Sequence, residues 1–301
     1  ATIGNLNNHI GVPLTLLSIN PDAEIAVIEM GANHIGEIAS YCVYARPNYG
    51  LITNVGKAHL EGFGGYEGVK RGKGELYDFL RDNNGTAFVM WDYDYLKEMS
   101  KGIKQIVPYG TSSPAGGNAI QSEPFLSISI DNTVINTKLV GSYNLPNVLA
   151  AFAAGKYFNI PVAKMKLALE EYTPSNSRSQ LIEKDENKII LDAYNANPSS
   201  MRAAIENFAK IPADNKVLML GAMAELGKES LDEHKQIIEL IKKYNWSDVV
   251  LVGGDFLKVN SPFQTFANSA EAAEWLRKQK FKDAYLLVKG SRSMQMEKVI
   301  Q

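Results

Sequence analysis

Predicted strands and helices alternate four times between Ile189 and Ile300, and this alternation limits the folds that are open to the chain. Short apolar runs predict strands at 189–193, 217–221, 249–253 and 284–289, and longer periodic runs predict helices at 199–209, 231–244, 270–279 and 294–300. Such alternation is typical of a doubly wound, Rossmann-like domain built on a parallel sheet. Each predicted strand ends in a glycine or polar loop, so the carboxyl edge of this sheet is the expected binding face.

A further α/β region precedes this domain. Strands are predicted at 26–30, 50–55, 86–91 and 105–109, with a helix at 36–45 and an antiparallel hairpin at 125–130 and 133–139. Successive strand-helix units favour a parallel sheet here as well. A polar run at 172–177 is the predicted boundary, which divides the chain into domains at 1–174 and 175–301.

Polar side chains follow the first two predicted strands. Glu29 closes one of them, and His59 and a glycine-rich loop follow the other, just before the helix that holds Lys73. Because the carboxyl ends of parallel strands meet at one edge, Glu29 and His59 together suggest a site for a divalent cation. Each residue also has a structural interpretation: Glu29 could pair with Lys57, His59 could be a hydrogen-bonded loop residue, and Lys73 could be a solvated lysine at a helix start.

Composition argues against several classes of protein. With 31 basic and 33 acidic side chains and a net charge of −2, the chain offers no polyanion-binding surface, so no nucleic-acid partner is expected. The single cysteine, Cys42, excludes an internal disulfide. No leader and no apolar run of membrane-spanning length is found, which predicts no membrane insertion and a cytoplasmic location. A nicotinamide-dependent oxidoreductase is disfavoured because no G-x-G-x-x-G follows a predicted strand.

Eight ordered motifs resemble those of the Mur ligases and cover nearly the whole chain. They are IEMGANHIGEI at 28–38, AHLEGFGG at 58–65, KGELYDFL at 73–80, the Asn144 and Asn147 helix, SNSRSQ at 175–180, DAYNANPSSM at 192–201, GAMAELG at 221–227 and KGSRSMQME at 289–297. The resemblance implies an ATP- and Mg²⁺-dependent amide ligase, with a central ATP-binding domain and a Rossmann-like C-terminal domain. Its implied substrates are UDP-N-acetylmuramoyl tripeptide and D-alanyl-D-alanine, in peptidoglycan precursor synthesis and thus in cell wall biogenesis, cell shape and cell division. A monomer is expected.

The resemblance also implies roles for individual residues. Glu29 and His59 match magnesium ligands, and Lys73 matches a lysine carried as a carbamate, an anion formed with carbon dioxide that supports the metal. Lys73, His59 and Arg178 are thus the expected catalytic residues. The implied nucleotide contacts are Asn144 and Asn147 at the adenine, Arg178 at the phosphates and Asp192 near the ribose, although Asn144 could simply cap a helix. The implied substrate contacts are Tyr194, Asn195, Asn197, Lys289, Ser291 and Arg292.

The chain departs from the family pattern in two ways. Ala222 stands where family members usually carry Asp in Gly-Asp-Met. No G-x-x-x-x-G-K-[ST] phosphate-binding loop occurs in the 301 residues, and the N-terminal domain that holds the UDP group is absent. The chain also begins with Ala1, so it looks like a piece of a longer protein. We therefore expect it to be inactive by itself, and the alternative function is a catalytically silent two-domain fragment that keeps only substrate-binding surfaces.

Overall fold

The computed structural model describes residues 1–113, 116–175 and 177–301. These residues form two compact units, Ala1–Ala115 and Gly116–Gln301. The boundary predicted after residue 174 falls inside the second of them and stays a prediction. No helix in the described part of the chain combines the length and the apolar composition that a bilayer crossing requires.

The first unit contains a small parallel sheet with helices packed against it. Its elements are α1 (Gly11–Leu17), α2 (Glu37–Ala45), β1 (Tyr49–Leu51), α3 (Leu60–Phe63), α4 (Tyr66–Asp82), β2 (Thr86–Met90), α5 (Asp94–Met99) and β3 (Gln105–Tyr109). The strand order is β1-β2-β3, with both pairs parallel. Every residue of β2 is buried, as expected for the central strand of a parallel sheet covered by helices.

Two of the predicted strands in this unit differ in the structure. The segment 26–30 forms no strand, and Val27 within it is largely exposed. Its backbone makes isolated hydrogen bonds to the start of the chain, such as the one from the N–H of Thr2 to the carbonyl of Val27 at 3.0 Å, rather than a continuous ladder. The predicted strand 50–55 is shortened to β1, which ends at Leu51. An apolar pattern gives strand propensity, but a strand also needs a neighbour that continues the ladder, and the pattern does not supply one.

The second unit begins with an antiparallel sheet. The predicted hairpin is confirmed as two strands of this three-stranded sheet, in the order β4-β5-β6, and the short strand β4 is an addition. Helices α6 and α7 follow it and contact each other. The elements are β4 (Gly117–Gln121), β5 (Phe125–Ile130), β6 (Thr133–Val140), α6 (Leu145–Tyr157) and α7 (Val162–Glu171).

A six-stranded sheet fills the rest of the second unit and confirms the predicted Rossmann-like alternation. Its elements are β7 (Gln180–Lys184), β8 (Asn187–Asp192), α8 (Pro198–Lys210), β9 (Lys216–Gly221), α9 (Ser230–Ile241), β10 (Asp248–Val252), β11 (Gln264–Phe266), α10 (Ser269–Gln279) and β12 (Tyr285–Lys289). The strand order is β11-β10-β9-β12-β8-β7, and only the β7–β8 pair among these strands is antiparallel. The predicted last helix forms instead as 3₁₀ turns at Arg292–Met294 and Met296–Ile300.

This strand order brings the loops after β8, β9 and β12 to the same edge of the sheet. The last strand, β12, lies between β8 and β9. Helix α10 and the turn at 296–300 pack with the apolar core on one face of the sheet, while α8 and α9 contact each other. In open α/β sheets, ligands bind outside the carboxyl ends of the strands, at the point where the strand order reverses. The loops after β8, β9 and β12 are therefore the candidate binding face of this unit.

Candidate active site

Lys73 is held by the packing of α4 against the turn that precedes it. Gly72 lies against Phe63 of α3, where an added Cβ would come within 2.4 Å of the Phe63 ring. This close approach fixes the position of the backbone at the next residue, Lys73. The Nζ of Lys73 donates to the carbonyl oxygen of Asn54 at 2.8 Å, just beyond β1. Burial lowers the pKa of the Lys73 amine. A lowered pKa increases the fraction of neutral amine, which is the form that reacts with carbon dioxide.

Glu29 and His59 occupy surroundings of different kinds. Glu29 is exposed, and its Oε1 accepts a hydrogen bond from Nδ2 of Asn7 at 2.8 Å. His59 is half-buried and adopts a left-handed conformation, with φ of 53°, directly before α3. Left-handed backbone is uncommon outside glycine, although asparagine, aspartate and histidine adopt it more readily than other residues.

The donor atoms of these residues bear on whether they can hold Mg²⁺. Within the described ranges, no group of three or more His, Cys, Asp or Glu side chains is gathered as a ready-made metal cage. Mg²⁺ is commonly held by one or two carboxylates together with substrate phosphates, rather than by such a cage. Glu29 fits that pattern, a carbamate on Lys73 would supply a second oxygen donor, and His59 would add a nitrogen donor, which Mg²⁺ prefers less than oxygen. The metal assignment of these three residues stays a prediction.

In the second unit, the ends of β8 and β12 are joined by a buried ion pair. The Nζ of Lys289 donates to Oδ2 of Asp192 at 2.6 Å and to the carbonyl oxygen of Asn195 at 3.1 Å. The other carboxylate oxygen of Asp192 accepts the backbone N–H of Ser179 at 3.1 Å. Lys289 is only 2% exposed. Both members of the pair were predicted as site residues, and both are occupied by contacts within the protein.

The loop after β12 presents its side chains unequally. Ser291 is buried, and its hydroxyl donates to the carbonyl of Ala222 at 2.6 Å. Arg292 is exposed, and its Nη1 donates to Oε1 of Glu297 at 2.9 Å. Of the loop residues predicted to contact substrate, Arg292 is thus the one whose side chain reaches the surface.

The predicted adenine contacts form a pair at the start of α6. Nδ2 of Asn147 donates to Oδ1 of Asn144 at 3.1 Å, and Nδ2 of Asn144 donates to the carbonyl of Val140 at 2.8 Å. Asn144 precedes the helix but makes no side-chain cap. The capping interpretation of Asn144 is therefore wrong, because its amide binds a carbonyl rather than the N–H groups of the first turn. Asn147 is exposed.

The loops at 177–179 and 193–197 meet beside Asp192. The guanidinium of Arg178 lies 4.2 Å from the centre of the Tyr194 ring, a cation–π contact. Asn195 is exposed. Oδ1 of Asn197 accepts the N–H of Ser200 at 2.9 Å, and together they form a capping box on α8. The Asn197 side chain therefore has a structural task. Asn176, in the same motif as Arg178, lies outside the described residues.

A buried histidine that the sequence analysis did not single out supports the loop after β9. His234 of α9 is fully buried; its Nε2 accepts the backbone N–H of Met223 at 3.1 Å, and its Nδ1 lies 2.7 Å from the carbonyl of Ser230. These contacts fix a neutral ring with the proton on Nδ1. Burial lowers the pKa of His234 against the opposing effects of Ser230 and Asp255. The spacing of four residues between Ser230 and His234 on a predicted helix indicates that the two can contact each other. The contact between His234 and Met223, in the loop after β9, could not be predicted from the sequence.

Comparison with known proteins agrees with this architecture. The Mur ligase middle domain matches residues 1–155, and the domain described as "Mur ligase, glutamate ligase domain" matches residues 177–292. The UDP-N-acetylmuramoyl-tripeptide--D-alanyl-D-alanine ligase of Escherichia coli (strain K12) is 34% identical over 315 residues, which span 100% of this chain and 70% of that protein. Crystal structure I of MurF from Acinetobacter baumannii superposes with a TM-score of 0.89 at 29% identity, over 99% of this chain and 68% of that one. MurF from Thermotoga maritima in complex with ADP superposes with a TM-score of 0.86 at 25% identity, over 99% of this chain and 71% of that one. The chain belongs to the Mur ligase family.

Proposed function

We propose that this chain carries two domains of an ATP-dependent ligase that joins D-alanyl-D-alanine to UDP-N-acetylmuramoyl tripeptide in peptidoglycan precursor synthesis. The observation that carries the proposal is the 34% identity, along the whole chain, to an Escherichia coli protein of that name. The similarity to a MurF structure that contains ADP supports nucleotide use. A cytoplasmic location and a monomeric state are part of the proposal.

The reaction we propose has two steps. A carboxylate oxygen of the tripeptide attacks the γ-phosphorus of ATP, the bond to the β,γ-bridging oxygen breaks, and ADP leaves. The amine of D-alanyl-D-alanine then attacks the carbonyl carbon of the acyl phosphate, loses a proton, and expels inorganic phosphate as the amide forms. Both steps concentrate negative charge, so they depend on positioning and charge neutralisation.

The residues of this chain would divide these tasks. Arg178, an exposed cation held over Tyr194, would neutralise phosphate charge. Asn147 offers an exposed amide, the kind of group that hydrogen-bonds an adenine edge. Glu29, His59 and a carbamylated Lys73 would hold Mg²⁺, which when bound neutralises the phosphate oxygens.

The test compares two proteins. Here "full-length protein" means a polypeptide that carries this chain together with the remaining length of its relatives. We expect the full-length protein to release phosphate only when ATP, the tripeptide substrate and D-alanyl-D-alanine are all present, with the pentapeptide product identified by mass. Phosphate release that does not depend on D-alanyl-D-alanine would exclude the proposed reaction.

The second candidate function is a catalytically silent fragment that retains only substrate-binding surfaces. It is favoured by the absence of a G-x-x-x-x-G-K-[ST] motif from the 301 residues, since backbone N–H groups and the lysine of such a loop cradle the β- and γ-phosphates. We expect the 301-residue chain alone to give no turnover, and an ATP titration of this chain beside the full-length protein to show far weaker binding. Turnover by the chain alone would rule out the silent alternative.

A further inference from the structure

Lys289 is an unusual residue because it is 2% exposed at the end of a central strand. Lysine is almost never fully buried unless it is paired. Its partner Asp192 lies directly opposite on β8, in register, and the second acceptor is the carbonyl of Asn195. Replacing a buried ion pair by apolar residues is often neutral or stabilising, so stability alone does not account for a lysine here.

The contacts continue from this pair into the neighbouring loops. One oxygen of Asp192 accepts the N–H of Ser179, and the hydroxyl of Ser179 accepts a hydrogen bond from the Tyr143 hydroxyl at 3.0 Å. Tyr143 directly precedes Asn144, and Ser179 directly follows Arg178. One continuous hydrogen-bonded network therefore touches every segment of this unit that carries a predicted nucleotide contact.

We infer that Lys289 is a positioning residue that orients Asp192 and the loop at 193–197, and that it does not itself bind the peptide substrates. The inference rests on the proposed function. The ammonium group holds Oδ2 of Asp192, which leaves Oδ1 directed at Ser179, and it holds the carbonyl of Asn195. Without this cation, a half-buried carboxylate lacks its counter-charge and turns toward water, so both loops lose an anchor.

The first test uses the 301-residue chain and needs no activity. Lys289→Met removes the charge and keeps an unbranched side chain, whereas Lys289→Gln retains a donor and serves if the first variant does not fold. We expect amide hydrogen exchange at Ser179 and at 193–197 to become about tenfold faster in either variant. Exchange in β10, which is remote from the pair, should be unchanged.

The matched control is Lys298→Met, an exposed lysine near the same end of the chain. It should leave the exchange of these loops at the wild-type rate. Unchanged exchange at Ser179 and 193–197 in folded Lys289 variants would overturn the inference, and so would equal acceleration throughout the unit.

The second test uses the kinetics of the full-length protein. If Lys289 acts through Asp192, Lys289→Met raises KM for ATP by about tenfold and leaves KM for D-alanyl-D-alanine unchanged, and its effect disappears when Asp192→Asn is already present. A rise in KM for D-alanyl-D-alanine would show direct substrate contact, and losses that multiply in the double variant would show that Lys289 acts independently of Asp192; either result would overturn the inference. A wild-type protein that does not form the product would instead refute the proposed function, while the exchange experiment would still decide whether Lys289 orders the loops.

Discussion

Glu75 of α4 accepts a hydrogen bond of 2.8 Å from the backbone N–H of Ala39, in the first turn of α2. Its other carboxylate oxygen accepts the N–H of Gly36 at 2.5 Å. The first N–H groups of a helix have no partner within the helix, and Gly36 at the cap position has no side chain to offer. A carboxylate from another helix therefore caps α2, and α4, which carries Lys73, is tied to it.

We expect Glu75→Ala to lower the free energy of unfolding of the chain by about 1–2 kcal/mol, because the capped N–H groups and the positive end of the helix dipole lose their acceptor. Urea unfolding measures the difference. Glu98→Ala is the control, since the Glu98 side chain forms an exposed ion pair with Lys101, and it should leave the unfolding free energy almost unchanged. Equal losses in the two variants would contradict the capping role.

The second prediction concerns pH. Because burial lowers the pKa of His234, the unfolded chain takes up a proton near pH 6.5 while the folded chain does so only at lower pH. The stability that His234 contributes is therefore complete above about pH 6.5 and is lost as the pH falls through the lower folded value. Protonation of Nε2 also removes the acceptor for the Met223 N–H. Unfolding free energies measured from pH 7.5 to pH 5 should show this decline.

His234→Gln tests the assignment, because a glutamine side-chain oxygen can accept the same N–H without titrating. We expect this variant to lose most of the decline between pH 6.5 and pH 5, whereas His9→Gln, at an exposed histidine, should keep it. A wild-type decline in His234→Gln would assign the pH dependence to other groups.

The third prediction concerns Ala222, where the family usually carries Asp. Ala222 is 1% exposed. Its Cβ packs against Gly254, where a Cβ added to the glycine would come within 2.5 Å of the Ala222 Cβ. An aspartate would be crowded and would bury a carboxylate, so Ala222→Asp should lower the free energy of unfolding by about 1–3 kcal/mol. Ala224→Asp, in the same loop but partly exposed, should cost less. Equal unfolding free energies for Ala222→Asp and the wild type would show that the site accommodates a carboxylate.

The residues at which strands end could be predicted from the sequence, but which strands lie next to each other in the sheet could not. The apolar runs that end near Asp192 and Lys289 identified both residues as lying at a carboxyl edge. Their contact depends on β12 inserting between β8 and β9, and this strand order is set by packing between segments almost a hundred residues apart. The cap that Glu75 provides depends likewise on a tertiary contact that no local pattern encodes. In contrast, Glu29 was assigned to a strand on its pattern alone, and that strand does not form.

The last prediction concerns Lys73 in the full-length protein. Lys73 is the eighth residue of α4, so the expected position at a helix start is wrong, and the helix dipole, which acts within the first turn, has little effect on its charge. Burial lowers the pKa of the Lys73 amine, which favours the neutral form, whose nitrogen attacks carbon dioxide and then loses a proton as the carbamate forms. If the carbamate supports Mg²⁺, Lys73→Ala should lower kcat by more than about tenfold, and a short carboxylic acid such as acetate should restore part of it. Lys73→Glu should retain the fold, as judged by its thermal unfolding.

Lys70→Ala is the matched control for this experiment, since Lys70 lies one turn earlier on α4 and has no predicted role. It should turn over at the wild-type rate, and acetate should not change that rate. Acetate rescue of Lys73→Ala alone would separate a missing carboxylate from a general loss of structure, because a misfolded variant gains nothing from a small anion. Wild-type turnover by Lys73→Ala at saturating Mg²⁺ and ATP would show that this lysine does not support the metal.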